Sequence, residues 1–178
     1  MSDSPFKLTS SREVYRNPWI AVREDSVVRP GGKAGIFGVV TMKPGSSVLP
    51  VTDDGQVYLT REYKYAIGRE SLEVASGALD GDESPLACAK RELEEEMGLV
   101  AGEWIDAGCV NPFTTVVSSP NYLFVCRGLR ATKQALDEGE VLSVVKIPLA
   151  EAHEKVMRGE ITHAGSCVLI LKAKTLLS

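Results

Sequence analysis

The segment Gly77–Leu99, GALDGDESPLACAKRELEEEMGL, decides most of what this sequence predicts. Ser84 suits the position before a helix, and Pro85 suits the first helical residue because proline has no N–H to satisfy there. Gly98 suits the left-handed residue that follows a helix. We therefore predict a glycine-opened loop followed by a helix that ends before Gly98.

The predicted helix has an acidic face beside its apolar stripe. Glu92, Glu95 and Glu96 lie three or four residues apart, so their carboxylates project from one side and repel each other. A divalent cation removes that repulsion, and Mg²⁺ combines carboxylates with substrate phosphate oxygens. A solvated acidic face is the alternative. The preceding Gly77 and the adjacent Arg91 favour a magnesium site that binds a diphosphate.

The segment resembles the Nudix hydrolase box, in which glycine, glutamates, arginine and aliphatic residues recur at fixed spacing. The matching positions are Gly77, Glu83, Arg91, Glu92, Leu93, Glu95, Glu96, Gly98 and Leu99. The resemblance implies an α/β (α+β) Nudix fold with a loop–helix–loop metal site. It also implies hydrolysis of a nucleoside diphosphate linked to another group.

The resemblance further implies roles for individual residues. The implied metal ligands are Glu92, Glu95, Glu96 and the carbonyl of Ser76. The implied cofactor is Mg²⁺, with Mn²⁺ as the alternative ion. Arg91 and Glu83 would orient the carboxylates, and Arg91 and Glu95 belong to the implied catalytic group.

Composition limits the classes of protein that this chain can represent. A length of 178 residues, 44% of them hydrophobic, suffices for one domain with a core. The net charge of −4 argues against a broad nucleic-acid surface. The four cysteines show no CxxC spacing, which indicates reduced thiols in a cytoplasmic protein and argues against a zinc site. No apolar run is long enough to predict a membrane span or a secretion signal.

Strand patterns dominate on both sides of the box. We predict strands within 12–30, 36–42, 48–51, 56–61, 72–75, 104–110, 122–127 and 141–147, and helices over 149–158 and 166–177. Asp53-Asp54-Gly55 predicts a hairpin turn. These elements indicate an α/β/α sandwich with a mixed sheet and helices on both sides. The resemblance adds N-terminal antiparallel strands over 1–45, before a hydrolase domain over 46–178, in one structural domain.

Three segments outside the box resemble the ADP-ribose and nucleoside-diphosphate-sugar pyrophosphatases. They are VYRNPWIAVRED (14–25), YLTREYKYAIGRESLEVASGALDGDE (58–83) and the C-terminal segment that begins LDEGEVLSVVKIPL (136–149). The resemblance implies a nucleoside diphosphate sugar as substrate, with ADP-ribose leading. It also implies a homodimer in which N-terminal segments exchange. Trp19 or Tyr15 would stack on the base, although a buried packing role for Trp19 stays open.

Arg61, Lys64 and Glu73 lie just before the box and complete the predicted substrate site. The two cations would contact the diphosphate or the terminal ribose, with an ordinary solvated strand end as the alternative. The subgroup often has arginine where Lys64 stands, and an ammonium lacks the bidentate fork of arginine. Glu73 stands where the family usually carries a glutamate near the metals.

A general base is implied further along the chain. The subgroup often takes its base from a distal acidic loop, and Glu140, then Glu138, fit that description; an exposed acidic turn is the alternative. Ser119 stands near the position of a glutamate that relatives carry, which leaves the sugar and the nucleobase of the substrate open.

Two other functions also remain open. One is a nucleotide-sugar sensor without turnover, and the other is a nucleoside triphosphate or dinucleotide pyrophosphatase.

Overall fold

A computed structural model describes residues 4–136 and 141–177. The strands are β1 Lys7–Arg16, β2 Ile20–Val28, β3 Ala34–Met42, β4 Gly45–Pro50, β5 Gln56–Lys64, β6 Arg69–Glu73, β7 Ala75–Ala78, β8 Leu99–Val110, β9 Val117–Ser118, β10 Asn121–Ala131 and β11 Leu142–Pro148. The helices are α1 Pro85–Met97, α2 Leu149–Met157 and α3 Ala164–Leu176, with a short 3₁₀ turn at Tyr65–Ile67. They divide into two compact units.

The first unit contains the described residues up to Lys43 together with Asn111–Pro120. Its strands form one sheet in the order β1-β2-β3-β9, in which β1, β2 and β3 are antiparallel and β9 runs parallel to β3. This sheet confirms the expected N-terminal antiparallel strands. All ten residues of β1 are exposed, and its mainly polar first half explains why the sequence pattern indicated a strand only from residue 12.

The second unit is built around a mixed sheet in the order β7-β4-β10-β8, with β4 and β10 parallel. Successive residues of β10 alternate between two apolar clusters: Leu123 packs with residues of α3, and Phe124 packs with residues of α1. A strand covered on both faces is expected to read as a continuous apolar run. The two helices therefore enclose the sheet, and the predicted α/β/α sandwich is confirmed.

A second sheet in this unit, β11-β5-β6, carries the residues that precede the box. Asp53-Asp54-Gly55 does form the predicted turn, with Gly55 at φ 76°. The flanking strands make only one antiparallel bridge, Val51 with Val57, before they enter different sheets. The expected hairpin is thus a turn between sheets. Among the residues that the structure describes, no helix is long and apolar enough to span a membrane.

Helix α1 begins and ends where the local sequence predicts. The Ser84 hydroxyl accepts a hydrogen bond from the N–H of Ala87 at 3.2 Å, and Pro85 is the first helical residue. Gly98 is left-handed at φ 62°, and its N–H bonds to the carbonyl of Glu94. These caps fix the register of the acidic face.

Candidate active site

Arg91 donates hydrogen bonds to three glutamates in and beside the acidic face of α1. Its Nε and Nη2 each donate to Glu83 at 3.1 Å, which makes a bidentate pair between the loop and the helix. Its Nη1 donates to Glu92 Oε1 at 2.7 Å and to Glu95 Oε2 at 2.9 Å. The guanidinium fork suits planar carboxylates in this way. Arg91 therefore sets the spacing of three carboxylates.

The electrostatics of this cluster follow from the same contacts. The hydrogen bond from Arg91 lowers the pKa of Glu83, and the N–H of Asp80 adds to this effect. The hydrogen bond to Glu83 is the largest of the interactions that raise the pKa of Arg91 above its ordinary value. Both groups stay ionised at neutral pH, so the loop that opens α1 is held by a charged pair.

Gly77 lets the chain pass directly against Glu92. A Cβ at Gly77 would lie 1.8 Å from Oε1 and 2.2 Å from Cδ of Glu92. Glu92 and Glu96 are 9% and 8% exposed, so two charged side chains lie at the inner side of α1. Buried carboxylates of this kind are found paired or bound to a metal. Glu92 is paired with Arg91, and a divalent cation is a partner that the same oxygens can bind.

Cys88 lies beneath the loop and does not compete as a ligand. Its Sγ lies 3.6 Å from the carbonyl oxygens of Gly77 and Ala78. Burial, together with the charges of Glu92 and Glu83, raises the pKa of Cys88 to about 11. The sulfur therefore stays protonated at neutral pH. The donors that remain near the helix are carboxylate and carbonyl oxygens, which suit a hard divalent cation.

Within residues 4–136 and 141–177, no three His, Cys, Asp or Glu side chains converge as a ready-made metal cage. Glu92 Oε1 and Glu95 Oε2 both accept hydrogen bonds from Nη1 of Arg91. The donor chemistry nevertheless fits the divalent cation that the fold family implies. Glu92, Glu95 and Glu96 are hard oxygen donors within about one helical turn.

Lys64 and Glu73 are brought to the acidic cluster, whereas Arg61 is not. Lys64 Nζ donates to Glu62 Oε2 at 2.5 Å. Burial lowers the pKa of Lys64, but that hydrogen bond and the charges of Glu73 and Glu96 outweigh burial and raise it. Residues 61 and 64 fall on opposite faces of β5 because strand side chains alternate. Arg61 approaches Glu70 instead, with 4.0 Å between their charged atoms.

His163 is a neighbour of this cluster that the sequence analysis missed. Its Nδ1 lies 3.5 Å from Glu73 Oε2 and 2.9 Å from Ser166 Oγ. Burial lowers the pKa of His163. The charge of Glu73 acts in the opposite direction, and the charge of Lys64 lowers this pKa further. The available signal was a histidine three residues before the serine that begins the last predicted helix. Nothing local, however, pairs either residue with Glu73.

The remaining predicted residues lie elsewhere. Trp19, in the first unit, is 74% exposed and borders a cleft of about 390 Å³ that Arg16 and Met42 also line; the alternative of a buried packing role is therefore wrong within this unit. Ser119 Oγ donates to the carbonyl of Lys43 at 3.0 Å in the same unit. The predicted bases, Glu138 and Glu140, lie outside the described residues.

The sheet is enclosed by two helices, and one loop and helix supply a set of carboxylates that an arginine holds in place. This combination defines an α+β hydrolase that acts on phosphoric anhydrides. Comparison with known families agrees. Residues 41–164 match the NUDIX domain, and residues 6–40 match the nucleoside diphosphate sugar hydrolase N-terminal domain. The chain belongs to the NUDIX family and is a pyrophosphatase-type hydrolase. Members of this family generally use divalent metal ions.

Relatives with named activities span nearly the whole chain. An ADP-ribose pyrophosphatase of Mycobacterium tuberculosis is 29% identical over 92% of this chain and 81% of its own length. Another, from Bacillus subtilis, is 27% identical over 92% of this chain and 90% of its own length. A solved structure described as an ADP compounds hydrolase superposes with a TM-score of 0.82 at 22% identity, covering 99% of this chain and 98% of that one. This likeness confirms the predicted fold.

Proposed function

We propose that this enzyme cleaves a nucleoside diphosphate sugar to a nucleoside monophosphate and a sugar phosphate, with ADP-ribose as the leading substrate. One observation carries the proposal: residues 6–40 match the nucleoside diphosphate sugar hydrolase N-terminal domain, in the same chain as an intact NUDIX domain. Two relatives that span 92% of the chain are named ADP-ribose pyrophosphatase, which supports the same substrate class.

The metal in this proposal is Mg²⁺, with Mn²⁺ as the alternative ion. Glu92, Glu95 and Glu96 would hold it, together with the carbonyl of Ser76, because these are the hard oxygen donors beside the Gly77 loop. When bound, a divalent cation supplies neutralisation of diphosphate charge and activation of a water nucleophile. Arg91 would orient the carboxylates of Glu92 and Glu95 through the hydrogen bonds that it donates to them.

The proposed reaction is a hydrolytic displacement at phosphorus. A water oxygen forms a bond to one phosphorus, and the bridging oxygen leaves on the other. The protons of the water pass to a base and then to solvent or to the products. We propose Glu140, and then Glu138, as this base, from the resemblance alone. Lys64, on the face of β5 that also carries Glu62, would contribute positive charge toward the diphosphate.

The proposed substrate contacts are Trp19, Arg61, Lys64 and Glu73. Trp19 offers an exposed indole for stacking on a base. Arg61 is exposed and approaches Glu70 at 4.0 Å, so it would reach a ligand only by leaving that contact. Glu73 is 8% exposed, and its carboxylate would act within the buried part of the site.

A hydrolysis panel tests this function. ADP-ribose, ADP-glucose, GDP-mannose, UDP-glucose, a nucleoside triphosphate and a diadenosine polyphosphate would each be incubated with Mg²⁺, and the products resolved by chromatography. We expect nucleoside monophosphate plus sugar phosphate from one or more of the sugars, and none after chelation. Pyrophosphate released from the triphosphate alone would point to a triphosphatase. Calorimetric binding of a nucleotide sugar without turnover would point to a sensor.

We also propose a homodimer that forms through residues 1–45. The first unit exposes large apolar side chains on its strands, including Leu8, Val14 and Ile36, and such surface marks interaction sites. Sedimentation velocity at micromolar concentration should give a mass close to twice that of the 19.2 kDa chain. A monomer would contradict the proposal.

The four unpaired cysteines fit a cytoplasmic location, where thiols stay reduced.

A further inference from the structure

Val74 marks the place where the chain leaves one sheet and enters another. β6 pairs with β5 up to Glu73, and β7 pairs with β4 from Ala75, so Val74 belongs to neither ladder. Val74 is 1% exposed, and its N–H donates to Ser166 Oγ at 2.9 Å. A buried backbone donor without a partner is costly. The fully buried Ser166 hydroxyl therefore stabilises the crossing between the sheets.

His163 is hydrogen-bonded to the Ser166 hydroxyl and also lies near the carboxylate of Glu73. Its Nδ1 lies 2.9 Å from Ser166 Oγ and 3.5 Å from Glu73 Oε2. Since Ser166 Oγ already accepts the Val74 N–H, one further hydrogen bond to His163 fixes its rotamer. The two residues stand at positions N-cap and N3 of α3, so the first turn of one helix carries both.

Packing leaves the imidazole little freedom. A Cβ at Gly165 would lie 2.8 Å from Asn121 Nδ2 and 3.1 Å from His163 Cε1, so the start of α3 is pressed against the sheet. Asn121 and Ser47 are hydrogen-bonded to each other there, and Ser47 is the β4 partner of Ser76. The start of α3 thus contacts Glu73 and Val74 directly and lies against Ser47, the strand neighbour of Ser76.

We propose that His163 and Ser166 are positioning residues for the metal site, acting through the Glu73–Ser76 segment rather than by touching substrate. This inference rests on the proposed function, because Glu73 and the carbonyl of Ser76 matter only if that site binds metal and diphosphate. Residues that orient the groups of a metal site typically contribute 10–100-fold in metal affinity or activity. The same range is expected for the hydrogen bond between His163 and Ser166.

Three substitutions of His163 separate positioning from simple packing. Asparagine places an amide atom close to the position of Nδ1 and can still bond Ser166, whereas glutamine reaches the position of Nε2. We expect His163→Ala and His163→Gln to weaken Mn²⁺ binding about tenfold by calorimetry and to lower kcat roughly 10–100-fold. KM should change less than about threefold, and His163→Asn should stay within about threefold of wild type on all measures, on the same scale.

His153, the other histidine, provides the matched control, since it lies on α2 with Glu154 as its ionic neighbour. His153→Ala should leave Mn²⁺ affinity and kcat unchanged. Equal Mn²⁺ affinity in wild type and His163→Gln would overturn the inference, as would equal losses in the asparagine and glutamine variants. Absence of Mn²⁺ binding and of nucleotide-sugar hydrolysis in the wild type would instead overturn the proposed function. Thermal unfolding of each variant identifies any loss that is due to misfolding.

Discussion

Glu96→Gln is expected to lower kcat by about a thousandfold while the protein stays folded. Glu96 is 8% exposed on α1, and glutamine keeps its size but removes the negative charge that a cation requires. Metal chemistry supplies several kcal/mol of transition-state stabilisation, and each 1.4 kcal/mol is tenfold in rate. The measurement is kcat at saturating substrate and Mg²⁺, beside circular dichroism and thermal unfolding. The melting temperature should not fall, because the substitution also relieves repulsion among the glutamates of α1.

Glu94→Gln on the same helix is the matched control. Glu94 is exposed, and its carboxylate accepts a hydrogen bond from the Thr132 hydroxyl at 3.2 Å, away from Arg91. Surface substitutions of this kind change the free energy of unfolding by about 0.5 kcal/mol or less. Because Glu94 is exposed and bonds Thr132 and not Arg91, its loss should leave the activation free energy nearly unchanged and kcat within about twofold of wild type. Turnover of Glu96→Gln near the wild-type rate would overturn the assignment of Glu96 as a metal ligand.

The sequence predicted the parts of this fold that depend on local chemistry. The caps at Ser84 and Gly98 act within one turn, so the bounds of α1 follow from neighbouring residues. The pattern over 122–127 predicted a strand, and β10 contains that stretch. By contrast, β9 contains only two residues, which pair with β3, and a strand of this length is too short to show an alternating pattern in the sequence. The start of β1 was missed because exposed strands need no apolar alternation.

The site was predictable only where its residues lie close in sequence. Arg91, Glu83 and the helix glutamates form one local unit, and the structure joins them by hydrogen bonds. Alternation along β5 separates Arg61 from Lys64, but which face meets the box depends on the register with β6. His163 meets Glu73 across 90 residues of chain, through the packing of α3 on the sheet. That contact depends on tertiary structure and leaves no periodic signal.

Gly77→Ala is expected to lower kcat about a hundredfold with little loss of stability. The added Cβ would lie 1.8 Å from Glu92 Oε1, 2.2 Å from Cδ and 2.7 Å from Oε2, so the carboxylate must move. Gly77 does not have a positive φ, so alanine brings no backbone strain. The three atoms nearest to the added Cβ all belong to the flexible end of the Glu92 side chain. A misplacement of about 1 Å in a catalytic group can cost about 10²-fold.

Gly102→Ala separates this steric effect from the general cost of replacing a strand glycine. Gly102 lies in β8, and a Cβ there would find its nearest atom, the Gly128 carbonyl oxygen, at an ordinary 3.8 Å. We expect this variant to retain wild-type kcat, whereas Gly77→Ala should lose both kcat and Mn²⁺ affinity at an unchanged melting temperature. The two losses have one cause, since the displaced Glu92 also leaves its 2.7 Å contact with Arg91. Retention of wild-type kcat and Mn²⁺ affinity in folded Gly77→Ala would show that the position of Glu92 against the loop is not what the site requires.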